Sequence, residues 1–234
     1  MKNLIKTYKK DIFKQKLNSL GDKKYCQFVS KLGIGDLKPL GIKVPELKKI
    51  AKQFALSNWQ EFFCEEENFC PEVIILKGLC IGYAKIDIDT FLTYLHKFFD
   101  MVESWTETDC TAPSFKIIIK NREKVWQEIL PYIFCEGEYK TRLAIIILLD
   151  YFLLDEWIDK VLDILPKIKQ GDYYVDMALA WILSVCFVKF RDKTLKLFEQ
   201  KCFSKFVHNK AIQKCRESFR VLNDDKELLK TYKI

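Results

Sequence analysis

Two apolar segments, RLAIIILLDYFL from Arg142 and DMALAWILSVCF from Asp176, superimpose residue class on residue class at an offset of 34 positions. A third, EVIILKGLCIGYAK from Glu72, begins 70 positions upstream of Arg142, close to twice that offset. A period of 34–35 with a shorter amphipathic segment between is the mark of stacked helical pairs, because one pair cannot bury its apolar face alone. The segments 71–85, 138–153 and 172–190 are apolar on almost every side, as helices packed from both sides must be.

The punctuation agrees. Only 8 Gly and 6 Pro occur in 234 residues, too few for an all-β chain that turns about every 10 residues. Helical patterns fall at 2–18, 22–32, 45–55, 58–65, 71–85, 88–99, 104–120, 122–133, 138–153, 155–164, 172–190, 192–200, 205–218 and 223–232. Pro45 and Pro71 suit first turns, and Gly137 and Gly171 separate later helices. No Pro- or Ser-rich linker interrupts them. The reading is a single all-α domain over 1–234, a curved solenoid with a concave face.

Charge is unevenly placed. Residues 1–52 carry 14 Lys against 4 acids, and residues 189–234 carry 13 Lys or Arg against 6 acids. With +7 overall, the middle is left at −10, since 7 − 10 − 7 = −10. Basic ends can clamp a polyanion, because neutralising phosphates releases counterions. Lysine-rich solvated helix faces are the plain alternative.

Nine Cys without a C-x-x-C pair, several inside apolar runs (Cys80, Cys186), read as buried thiols in a reducing compartment. With His96 and His208 the only histidines, a metal-centred enzyme is not expected. The N-terminal lysines lack the apolar stretch of a signal peptide, and LAIIILLDYFLL is too short to span a bilayer. A soluble cytoplasmic protein is expected.

Four residues stand out as candidates for chemistry. Trp105 and Asp109, in ESWTETDC, share one face if that stretch is helical. Arg142 opens a long apolar helix, as a surface charge or as a first-turn partner for an acid. Trp181, in MALAWILSV, is by pattern most simply a core residue.

Taken in order, these stretches resemble the AlkD-like DNA alkylation repair proteins, DNA glycosylases built from HEAT-like repeats. The resemblance runs through LGIKVPELKKIAKQ, SWTETDCTAP, KTRLAIIILLDYF and MALAWILSVCF to the tail NKAIQKCRESFRV. It implies a right-handed solenoid of HEAT-like antiparallel helix pairs with a concave basic groove. It further implies hydrolysis of the N-glycosidic bond of cationic N3- or N7-alkylated purines in double-stranded DNA, by a monomer needing no cofactor and no metal. Asp109 would be the catalytic carboxylate, Trp105 and Trp181 the aromatic walls, and Arg142 and Lys43 DNA contacts. Ser104 stands where family members often have a second aromatic, and Ser184 where they often have Arg. A non-catalytic nucleic-acid-binding solenoid and a protein-interaction scaffold are the alternatives.

Overall fold

The computed structural model describes residues 9–32, 36–57 and 59–234, so the first residues of the expected 2–18 helix and the start of 58–65 lie outside the described residues. The described residues form α-helices and short 3-10 turns, with no strand among them. The chain divides into two compact units, Met1–Asn121 and Arg122–Ile234.

The first unit contains α1 (Lys10–Ser19), α2 (Lys23–Ser30), α3 (Val44–Phe54), α4 (Trp59–Phe63), α5 (Pro71–Tyr83), α6 (Ile88–Phe99) and α7 (Trp105–Thr111). Helix α5 packs against α3 on one side and α7 on the other, with α4 and α6 also against it. Its residues from Pro71 to Ile81 are all buried, as its all-round apolarity requires. Pro71 and Pro45 both fall in first helical turns, where their missing N–H has no intrahelical partner to lose. Phe13, Phe54 and Phe62 meet with ring centroids 5.0–5.3 Å apart and close the core at the α1 end.

The expected helix over 104–120 is not continuous. It stops as α7 at Thr111 and is followed by 3-10 turns at Ala112–Ser114 and Lys116–Lys120. Pro113 is the reason: it has no N–H for the ladder, so the α-helical hydrogen-bond pattern cannot continue through it. The broken segment is held close to α5 by Gly82, where an added Cβ would stand 2.0 Å from Ser114 Oγ. Trp105 and Asp109 therefore ride on a short, well-anchored helix rather than a long one.

The second unit contains α8 (Arg122–Ile133), α9 (Glu138–Tyr151), α10 (Ile158–Ile164), α11 (Tyr173–Lys189), α12 (Arg191–Gln200), α13 (Lys205–Glu217) and α14 (Asn223–Thr231). Here α11 lies between α9 and α13, while α8, α12 and α14 pack on α9, α11 and α13 respectively. The sequence period reappears as contacts between equivalent positions. Lys193 bridges Asp159 at 2.7 Å and Arg191 bridges Asp225 at 2.6 Å, each pair 34 residues apart. Ser204 donates its backbone N–H to Gln170 Oε1 at 2.7 Å, again across 34 residues. Tyr139, Tyr174, Tyr173 and Phe206 form a run of ring contacts 5.2–6.1 Å apart, which puts the N-terminal ends of α9, α11 and α13 side by side.

All nine cysteines are free thiols. Among the described residues no helix is long and apolar enough to cross a membrane, and no group of His, Cys, Asp and Glu is disposed to hold a metal ion.

Candidate functional site

Helix α7 begins at Ser104, a buried N-cap residue in extended conformation. Glu107, three residues on, reaches back and accepts the backbone N–H groups of Glu103 at 2.6 Å and Ser104 at 3.0 Å. That is the return half of a capping box and fixes where the helix starts. The Ser104 hydroxyl itself lies 3.0 Å from Thr106 Oγ1.

The helix sorts its side chains by face. Glu107, Thr108 and Thr111 point inward and are buried, whereas Trp105 and Asp109, one turn apart, are half-buried. Trp105 donates its indole Nε1–H to the carbonyl of Leu32 at 3.2 Å, which orients the ring. Thr108 Oγ1 lies 2.9 Å from both the Trp105 carbonyl and Asp109 Oδ1. A hydroxyl has one proton, so it serves one acceptor at a time and couples the backbone beneath Trp105 to the carboxylate.

Electrostatics around this face is mixed. Burial pushes the Cys110 thiol up to about 11, with the Asp109 carboxylate adding to the rise and Lys48 of α3 opposing it. Lys48 and Asp109 therefore share the surroundings of one thiol. Burial also lifts the Glu107 carboxyl to about 7, against the lowering effect of its backbone and Ser104 hydrogen bonds. Lys43, expected as a DNA contact, is exposed at the residue before α3, with its Nζ 5.9 Å from the Tyr25 ring centre.

In the second unit, Trp181 is not sealed in the core as its sequence pattern most simply implies. It is half-buried and lines an open cleft of about 300 Å³ with Ser184, Val188, Lys214, Glu217 and Arg220. Burial lowers the Lys214 ammonium, and the positive charges of Lys210 and Arg142 add to that effect while Glu217 opposes it. Crowded cations of this kind favour an anion. Ser184 donates its hydroxyl to the Trp181 carbonyl at 2.7 Å, so the position carries no cation toward the cleft.

Arg142, expected as a DNA contact, lies near the start of α9. Only 6% of it is exposed, and its Nη1 donates to the Tyr174 carbonyl at 2.7 Å, joining α9 to the start of α11. Of the expected residues, the structure brings Trp105 and Asp109 together on α7, puts Lys43 at the entry to α3, and sets Arg142 and Trp181 in the second unit. Lys214 and Arg220, which complete the Trp181 cleft, went unnoticed in the sequence. Their only signal there is the basic run 205–220.

No family model, curated protein or solved structure matches this chain.

Proposed function

We propose that this chain is an AlkD-like DNA alkylation repair protein, whose helix pairs are HEAT-like repeats. It binds double-stranded DNA and hydrolyses the N-glycosidic bond of cationic N3- or N7-alkylated purines. The observation that carries this reading is the pairing on α7: an oriented indole and a half-buried carboxylate one helical turn apart, with a hydroxyl on the carboxylate.

The chemistry needs little more. An alkylated purine carries a positive charge and leaves with the bonding electron pair as a neutral base. Positive charge then develops on the sugar, where a fixed carboxylate stabilises it and accepts the proton of the attacking water. Water oxygen bonds to the sugar carbon as the carbon–nitrogen bond breaks. The indole face attracts the cationic group by about 0.5–2 kcal/mol. In the second unit, Lys214 and Arg220 beside Trp181 are suited to backbone phosphates.

A second reading, DNA binding without excision, is favoured by two specific observations. Ser184 offers no cation at the Trp181 cleft, and Arg142 is committed to the Tyr174 carbonyl. Two measurements on one preparation separate the readings: the salt dependence of duplex affinity, and release of free methylpurine from methylated duplex. Salt-sensitive binding with base release supports the first reading, and salt-sensitive binding without release supports the second. Absence of both overturns the DNA assignment.

A further inference from the structure

Along the first turns of α13 the second unit carries an open cleft of about 600 Å³, lined by Lys205, Phe206, Asn209, Lys210, Gln213 and Lys233. No acidic side chain lines it, and among the described residues none of its three lysines is in an ion pair. Lysines on a solvated helix face are ordinary, and by themselves they mark nothing. The rings beside them do. Phe206 is 42% exposed and Tyr173, the first residue of α11, is 58% exposed. Their ring centres lie 6.1 Å apart with the planes tilted by 48°. Two large rings kept in water side by side forgo the stabilisation of burial, and here they do so against a cationic cleft.

The amide side chains of the cleft are engaged within the protein. Asn209 donates from Nδ2 to the main-chain oxygen of Ile234 at 2.6 Å and accepts the Ile234 N–H at 3.1 Å, which draws Lys233 up to α13. Gln213 accepts from Lys210 Nζ at 3.1 Å and donates to Glu217 Oε1 at 2.7 Å. The cleft therefore offers positive charge and ring faces rather than a pattern of amide donors and acceptors.

We propose that this cleft binds single-stranded nucleic acid, with bases stacked on Phe206 and Tyr173 and phosphates held by Lys205, Lys210 and Lys233. The lysines supply the attraction to phosphate that any nucleic acid shares. The rings select the single strand, because each of its bases has an open π-face, whereas the faces in a duplex are already stacked on one another. With the amides engaged, binding is tolerant of sequence. An acidic peptide would meet the cations but leave the two rings in water. None of the lining residues belongs to the α7 face or to the Trp181 cleft, so the inference does not rest on base excision.

Fluorescence anisotropy of the full chain with a labelled dT strand of about 12 nucleotides, the matching dA·dT duplex and labelled poly-glutamate tests this. The dT strand binds, and Phe206→Ala and Tyr173→Ala each weaken it about tenfold while duplex affinity stays within about twofold. Lys205→Gln and Lys233→Gln each reduce the single-strand salt slope by about 0.7. All four side chains are exposed, so the variants melt with the parent. Lys210 is left unchanged because it stands one helical turn from Lys214 of the Trp181 cleft. No binding of the dT strand, binding unchanged by both ring variants, or an equal loss for strand and duplex overturns the proposal. Poly-glutamate binding as tight as that of dT, and unchanged by both ring variants, overturns it in favour of an acidic protein partner. If methylated duplex yields no free base while the dT strand still binds through the two rings, the cleft stands and the glycosylase reading falls.

Discussion

The carboxylate of Glu107 accepts the backbone N–H of Ser104 at 3.0 Å in a position that is 1% exposed, two residues before Asp109. A helix start is thereby fastened by a carboxyl group that burial prefers to keep protonated. The unfolded group loses its proton near 4.5, whereas the folded one holds it to about 7. Between those values the folded state binds more protons, so stability is fullest below pH 4.5 and declines as pH rises through 7. The loss amounts to about 3 kcal/mol on the scale of 1.36 kcal/mol per pKa unit. Urea melts at pH 5 and pH 7.5 measure it. Glu107→Gln, which retains an acceptor, removes this part of the pH dependence; an unchanged difference would contradict the assignment.

Arg142→Met separates a structural guanidinium from a DNA contact. The variant loses a charged hydrogen bond to the Tyr174 carbonyl and is destabilised by roughly 1.5–3 kcal/mol. Under conditions where it remains folded, duplex affinity and its salt slope are unchanged, because so little of the side chain reaches the surface. A fall in affinity with unchanged stability would restore the DNA role.

Lys214→Gln carries the opposite expectation. The side chain is only half-buried and sits in the Trp181 cleft among other cations, so neutralising it leaves stability nearly unchanged. If it faces a phosphate, duplex binding weakens uniformly across sequences and the salt slope drops by about 1. A sequence-dependent effect, or none, would place the DNA elsewhere.

Gly82→Ala tests how the α7 segment is held. The new methyl meets Ser114 Oγ and the backbone behind it, with 2.0 and 2.9 Å separations before relaxation. Overpacking of this sort costs about 1–3 kcal/mol. A calorimetric melt reads the loss, and a variant as stable as the parent would show that the segment is free to shift.

Much of this architecture is legible in the sequence. Apolar periodicity gave the buried helices α5, α9 and α11, and Pro45, Pro71 and Gly137 marked where elements begin. Periodicity failed at 104–120 because Ile117, Ile118 and Ile119 extend an apolar pattern past Pro113, and backbone chemistry overrode the pattern there. The pairing of Trp105 with Asp109 was legible from spacing alone. Glu72 and Lys214 were not. Each is an ordinary charged residue in sequence, and what distinguishes it is a fold-dependent loss of solvent that no local window contains. The same holds for Arg142, whose burial follows from the partner it finds 32 residues on.

The central claim concerns Asp109, and single-turnover release of methylpurine from methylated duplex tests it most directly. Asp109→Asn keeps the shape of the side chain and the approach of the Thr108 hydroxyl while removing the charge. The parent protein releases methylpurine measurably and the variant about 10²–10³-fold more slowly, with matching thermal melts and DNA affinity. Release at the same rate from both proteins would contradict the central claim.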